Sequence, residues 1–184
     1  MAIVVVILTA LLSAACGNGP TEPTPPSSSN PTTPPIATST TTRLSFTSDP
    51  ASLVGQGESR TYTLQNATFI PIIGHVGRYL SVVVQPKDPA NESLNWGAVI
   101  LAPFGTVLAP GTYSATPGGS FDNWMFDFFG GGRSCGSGTT STLRISEVAV
   151  TGDQLQRLRA SFIMYCGGSA TVRGELVVLA DPWR

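Results

Sequence analysis

This sequence of 184 residues is poor in charge. Charged residues make up 11% of the chain, 10 of them basic and 11 acidic, and Lys and Arg form no cluster. A protein that binds nucleic acid by neutralising phosphates needs a basic patch, so we predict no nucleic-acid partner. Few charges beside 20 glycines and 15 prolines favour strands joined by turns over charged amphipathic helices.

Histidine is also nearly absent, which limits the chemistry that the chain can perform. His75 is the only one. A serine triad needs a histidine beside a serine and a carboxylate, and catalytic zinc draws several His or Cys ligands. No G-x-S-x-G turn accompanies His75, and the acidic pair Asp122 and Asp127 would point to opposite faces of a regular strand. We therefore predict no enzyme, no catalytic residue, no metal and no cofactor.

No apolar run is long enough to span a bilayer, which takes about 20 residues. The longest run, at residues 2–12, has the length and composition of the hydrophobic region of a signal peptide. Small residues at 13–15 follow it and precede Cys16. The sequence therefore predicts a signal peptide over residues 1–15.

This junction resembles the lipobox of bacterial lipoproteins, although Ser13 stands where that family usually has Leu. The resemblance implies that the chain is cut before Cys16, whose thiol carries a diacylglycerol and whose new amino terminus is acylated. Gly17 follows instead of the Asp that retains lipoproteins at the inner membrane, so the resemblance favours the outer membrane or the cell surface. Cleavage after Ala15 without a lipid, which would make a secreted protein, is the alternative.

The segment at residues 16–42 is dominated by Pro, Thr and Ser. Such a composition cannot bury enough apolar surface to fold. The sequence therefore predicts a disordered tether that begins at the lipidated Cys16. A domain on a lipid anchor needs a spacer of this kind, which favours the membrane as a partner.

From residue 43 onward, short apolar or alternating runs lie between Gly, Pro, Asn and Asp. Some eight to nine strands with almost no helical period predict an all-β domain over 43–184. We expect a single antiparallel β-sandwich of jelly-roll or immunoglobulin-like type. The predicted strands are 43–48, 59–65, 77–84, 95–102, 111–116, 121–129, 141–150, 155–166 and 170–180. One face of the run 155–166 is expected in the core: Leu158, Ala160, Phe162, Met164 and Cys166.

Three aromatic residues are weak candidates for ligand binding, namely Trp96, Tyr113 and Trp124. Trp124 shares a predicted strand face with Phe126 and Phe128, which is typical of core aromatics. An exposed strip of these rings would instead indicate a carbohydrate-binding domain.

Two cysteines remain besides Cys16. Cys135 lies in the glycine-rich stretch GGGRSCGSG, and Cys166 ends a predicted strand. In an exported protein, such a pair most simply forms a disulfide. The predicted bond would join a flexible loop to the sheet.

The region from residue 95 to 180 resembles an uncharacterised exported bacterial domain, and GQGESRTYT at 55–63 fits the same pattern. The resemblance implies an exported fold and brings no activity. The motifs that carry it are Trp96, Ala102-Pro103, Gly111-Thr112-Tyr113, Gly132-Arg133-Ser134-Cys135 and Phe162-Ile163-Met164-Tyr165-Cys166-Gly167.

These observations predict a non-enzymatic lipoprotein of the cell envelope that presents a disulfide-braced β-sandwich as a binding module. No motif identifies the ligand, and a polysaccharide and an envelope protein are the two ligand classes that this interpretation allows. A carbohydrate-binding domain is the first alternative, a hydrolase that uses His75 the second, and a purely structural envelope protein that self-associates the third. Recognition is expected in exposed loops, as on other rigid sandwiches. The predicted loops are 66–76, 86–94, 103–110 and 130–140.

Overall fold

The computed structural model describes residues 33–74, 77–88, 95–115, 123–136 and 139–180. Within these ranges the chain forms eleven strands and no helix. The described residues therefore contain no helix that could cross a membrane. The strands are β1 (Arg43–Ser48), β2 (Ser59–Thr63), β3 (Ala67–Gly74), β4 (Tyr79–Pro86), β5 (Trp96–Leu101), β6 (Gly111–Ala115), β7 (Met125–Gly130), β8 (Arg133–Ser134), β9 (Ser141–Thr151), β10 (Gln154–Tyr165) and β11 (Thr171–Leu179).

Two open antiparallel sheets form the domain. The larger sheet has the order β2-β1-β11-β10-β9-β6, and the smaller has the order β3-β4-β5-β7-β8. All strand pairs are antiparallel. The prediction of an all-β fold of the sandwich type is confirmed.

The core lies between the two sheets and is rich in aromatic rings. The face of β10 that was predicted to be apolar is buried, as the alternation of its side chains requires. Phe46 of β1 stacks on Trp96 of β5, with ring centroids 4.6 Å apart. Phe162 of β10 contacts Phe128 of β7 at 5.0 Å. These ring contacts bring residues of the two sheets together.

Strand β3 corrects the sequence analysis, which expected a loop over 66–76. Pro71 interrupts this apolar run, and a proline inside a run argues against a central strand. In the structure β3 is the edge strand of the smaller sheet, and Pro71 pairs with Val82 of β4. At an edge one side of the strand has no ladder partner, so a missing N–H is tolerated there.

The predicted disulfide between Cys135 and Cys166 is confirmed, with a Cα–Cα distance of 4.8 Å. Cys135 follows β8 of the smaller sheet, and Cys166 follows β10 of the larger sheet. Both residues are buried. The bond therefore ties the two sheets together at one end of the core.

Residues 34–42 lie against the outer face of the larger sheet, in a segment that we call the strap. Arg144 donates a hydrogen bond to the carbonyl of Pro34 at 3.5 Å. Ser161 donates to the carbonyl of Pro35, and Arg159 donates to the carbonyl of Ser39. Pro34, Ala37 and Thr42 are buried within the strap. Thus the described end of the predicted tether packs on the domain.

Candidate functional site

The structure places Trp96 inside the core. Trp96 is 4% exposed, its ring stacks on Phe46, and the Cζ atom of Arg60 lies 5.1 Å from the ring centroid. Arg60 also donates to the hydroxyl of Tyr62 and pairs with Glu58. This ring therefore offers no open face to a ligand.

Tyr113 and Trp124, the other two aromatic candidates, stack on each other. Their ring centroids lie 3.7 Å apart with an interplanar angle of 25°. The hydroxyl of Tyr113 donates to the carbonyl of Ala109 at 2.7 Å, and burial raises the pKa of this phenol above its ordinary value. Trp124 precedes β7, whereas the sequence analysis had placed it inside that strand. The pair helps to hold the connection between β5 and β6.

That connection, residues 102–110, is fixed at both ends. Leu108 is buried and its N–H donates to the carbonyl of Gly77 at 3.1 Å. A turn from Pro103 to Thr106 is closed by the Thr106 N–H, which donates to the Pro103 carbonyl at 3.2 Å. Gly105 occupies the third position with φ +76°, as a type II turn requires. The loop is therefore a projection that these two hydrogen bonds hold in place.

Two large apolar side chains lie exposed on this projection, and we call them the apolar loop tip. Phe104 is 65% exposed and Val107 is 60% exposed. The guanidinium carbon of Arg78, a buried residue, lies 3.8 Å from the centroid of the Phe104 ring. Arg78 also donates from Nε to the carbonyl of Ala102. The cation beneath the ring helps to fix its orientation.

A second feature is a cleft of about 350 Å³, the end cleft, between β3 of the smaller sheet and β10 and β11 of the larger. Its floor is apolar and comes from the buried residues Phe69, Leu155 and Val178, while Leu64 on its rim is 53% exposed. Small-molecule sites are commonly clefts of ~300–1,000 Å³ with apolar walls and a few polar groups. The polar groups here come from Thr42, Asp153, Gln154 and Gln156.

The outer face of the smaller sheet carries a carboxylate among apolar side chains. Asp127 of β7 pairs with Val99 of β5, so the two side chains share this face. Burial raises the pKa of Asp127 above its ordinary value, although hydrogen bonds from the Ser134 hydroxyl at 2.7 Å and the Gly136 N–H at 2.9 Å act in the opposite direction. Both donors hold the carboxylate in place.

Three predicted residues lie outside the described ranges, namely Cys16, His75 and Asp122. Lipidation at Cys16 and the hydrolase alternative at His75 therefore stay predictions. Among the described residues, no group of three His, Cys, Asp or Glu side chains is arranged to hold a metal ion.

Sequence reasoning missed the apolar loop tip and the end cleft. The range 103–110 was correctly read as a loop, and Phe104 and Val107 within a turn sequence were the available signal. The end cleft had no local signal, because its walls come from segments that are distant in sequence.

No protein-family model, curated protein or solved structure matches this chain. The resemblances to bacterial lipoproteins and to an exported bacterial domain therefore rest on the sequence motifs around Cys16 and between residues 55 and 180 alone.

Proposed function

We propose that this chain is a non-enzymatic lipoprotein of the bacterial cell envelope, in which a lipid on Cys16 anchors a β-sandwich binding module. The observation that carries the binding role is the end cleft, a mixed apolar and polar cavity between two sheets that a disulfide joins. A disulfide is also a common feature of exported proteins. The outer membrane or the cell surface is the proposed location.

The lining of the end cleft favours a ligand with both an apolar and a hydrogen-bonding part. Phe69 and Leu155 would bury an aliphatic or aromatic group, and the side chains of Gln154 and Gln156 can both donate and accept. An apolar peptide group of an envelope protein has this chemistry. The cleft thus supports an envelope protein as the ligand class.

A polysaccharide ligand is the second candidate, and the aromatic side chains give it less support. A carbohydrate-binding face presents free rings to sugars, whereas Trp96 is enclosed and Tyr113 and Trp124 cover each other. A hydrolase would need partners for His75. Among described residues, the half-buried carboxylate of Asp127 has a serine and a backbone N–H as its partners.

The anchor is tested by intact mass and membrane fractionation of the native protein beside Cys16→Ser, with Ser28→Ala as a control within the tether. We expect acyl mass and membrane association for the wild type and the control, and a soluble Cys16→Ser protein. Soluble wild type cut after Ala15 would refute the lipid anchor.

The cleft is tested by NMR titration with N-acetyl-leucinamide as an apolar peptide probe. We expect shifts at Leu155 and Val178 that disappear in Leu64→Arg and persist in Leu53→Arg. Leu53 is a matched control because it is 49% exposed and lies outside the cleft. Shifts elsewhere, or equal behaviour of the two variants, would refute the cleft as the ligand site.

A further inference from the structure

We propose that the apolar loop tip, Phe104 and Val107, inserts into the headgroup region of the bilayer and docks this end of the sandwich on the membrane surface. The docking role deepens the proposed function, because it assumes that the chain resides at a membrane. It concerns a surface that is separate from the end cleft.

The shape and composition of the loop fit a lipid surface. Residues 103–110 contain no charged side chain. The two side chains are exposed on a loop that hydrogen bonds hold at its turn and at Leu108. Exposed apolar side chains of this kind can enter the boundary between headgroups and acyl chains, which is ~5–10 Å deep. Phe104 lies within the turn from Pro103 to Thr106, and Val107 follows that turn directly, so the two exposed side chains are close in sequence. Exposure of these apolar side chains to water is unfavourable, so their transfer into lipid would be favourable.

Charge is distributed in the way that membrane docking requires. Arg78 beneath the Phe104 ring is buried and donates to the carbonyl of Ala102, so it places no exposed charge at the tip. By sequence, the connections 75–76 and 116–122, which lead towards β4 and β7, add only His75 and Asp122 as ionisable residues. The opposite end of the smaller sheet carries Lys87, Asp88 and Arg133, all of them exposed.

The strap brings the tether to the side of the domain that carries the apolar loop tip. Arg144, which holds the carbonyl of Pro34, pairs across the sheet with Thr112 of β6. β6 begins at Gly111, directly after the loop of Phe104 and Val107. The chain therefore reaches the domain beside the base of the loop. From Cys16 to Pro34 the chain advances 34 − 16 = 18 residues, which span at most about 60 Å.

A short tether makes weak docking sufficient. A lipid on Cys16 would keep the domain within this distance of the bilayer, so the loop tip would meet lipid at a high effective concentration. Insertion of Phe104 and Val107 into the bilayer then only has to orient the domain, because the lipid already holds it at the membrane. A second copy of the chain is a less suitable occupant, because a stable dimer needs about 800 Å² from each partner and the tip offers two side chains.

The first experiment measures the depth of the tip in a bilayer. The chain from Cys16 onward is coupled through its free thiol to a maleimide lipid, in vesicles whose acyl chains are brominated. We expect the fluorescence of Phe104→Trp, after subtraction of the wild-type signal, to be quenched several times more strongly than that of Leu53→Trp. Leu53 is similarly exposed and contacts Arg133 at the other end of the smaller sheet. Equal quenching at the two positions would overturn the proposal.

The second experiment measures membrane affinity without the anchor. The chain from residue 16 onward with Cys16→Ser, which lacks the apolar run at 2–12, is sedimented with vesicles of phosphatidylethanolamine and phosphatidylglycerol, with and without Phe104→Ser and Val107→Ser. We expect the double substitution to lower the partition coefficient by about tenfold or more, while Leu53→Ser leaves it unchanged. Self-association that the double substitution abolishes, without vesicle binding, would assign the tip to a dimer and overturn the proposal. Because the lipid is added chemically or omitted, failure of the native anchor leaves both readouts interpretable.

Discussion

The indole ring of Trp96 lies directly over Gly130. A Cβ atom placed on Gly130 would be 1.9 Å from Cε3 of the indole, which is far inside any permitted contact. Trp96 in turn packs against Phe46 of the other sheet. The absence of a side chain at Gly130 therefore decides where the largest ring of the core can lie.

We expect Gly130→Ala to destabilise the domain by about 2 kcal/mol or more, because a methyl group must displace a buried ring or the backbone. Gly168→Ala is the control, since its Cβ would meet no atom within 4 Å although its φ is +64°. The control should cost about 1 kcal/mol through backbone strain. Urea denaturation measures both, and equal losses would contradict the packing argument.

Replacing both Cys135 and Cys166 by Ala should lower the free energy of unfolding by roughly 3–4 kcal/mol in the chain-entropy model. The bond closes a loop with a sequence separation of 31. Denaturation of the double variant beside the oxidised wild type measures the loss. A difference below about 1 kcal/mol would show that the unfolded chain is constrained by other means.

Ala37→Asp should release the strap from the larger sheet. Ala37 is buried, and a carboxylate without a partner is costly to bury. Thr38→Asp is the matched control because Thr38 is exposed. We expect faster amide hydrogen exchange over residues 36–42 in Ala37→Asp alone. Equal exchange in the two variants would contradict the packing of the strap.

Asp127 should make the domain less stable as pH rises. Burial raises the pKa of its carboxyl in the folded state above the reference value of 3.8. The contribution of this group to stability is therefore fully present below pH 3.8. The contribution is lost as pH rises through the higher folded pKa. Asp127→Asn should remove this part of the pH dependence. Parallel stability curves for wild type and variant between acid and neutral pH would contradict the prediction.

Asp49 should have the opposite effect. Hydrogen bonds from the Thr171 N–H and hydroxyl, both at 2.8 Å, lower the pKa of its carboxyl below 3.8, and Arg173 adds to the shift. The stabilisation is present above 3.8 and is lost as pH falls through the lower folded pKa. Acid denaturation of Asp49→Asn should therefore lack this component. If Asp49→Asn and the wild type lost stability equally as pH falls, the hydrogen bonds from Thr171 would not favour the ionised carboxylate of Asp49.

Much of the fold could be predicted because strands show a local pattern of alternating side chains in the sequence. Alternation in β10 identified which side chains face the core, and two cysteines beyond Cys16 left one simple pairing. The missed strand β3 shows the limit of this reasoning. In the sequence, Pro71 argues against a central strand. Only the position of β3 at the edge of a sheet makes this proline acceptable in a strand.

By itself, the sequence determined the all-β class, the disulfide and the boundaries of most strands, because these depend on periodicity, turn residues and the number of cysteines. The tertiary structure alone decided that Trp96 is enclosed, that the strap covers Ser161 and that Phe104 rests on Arg78. Each of these relationships joins residues that are distant in sequence or belong to separate strands. Local patterns specify the backbone conformation and the face of a strand, whereas long-range packing selects what covers that face.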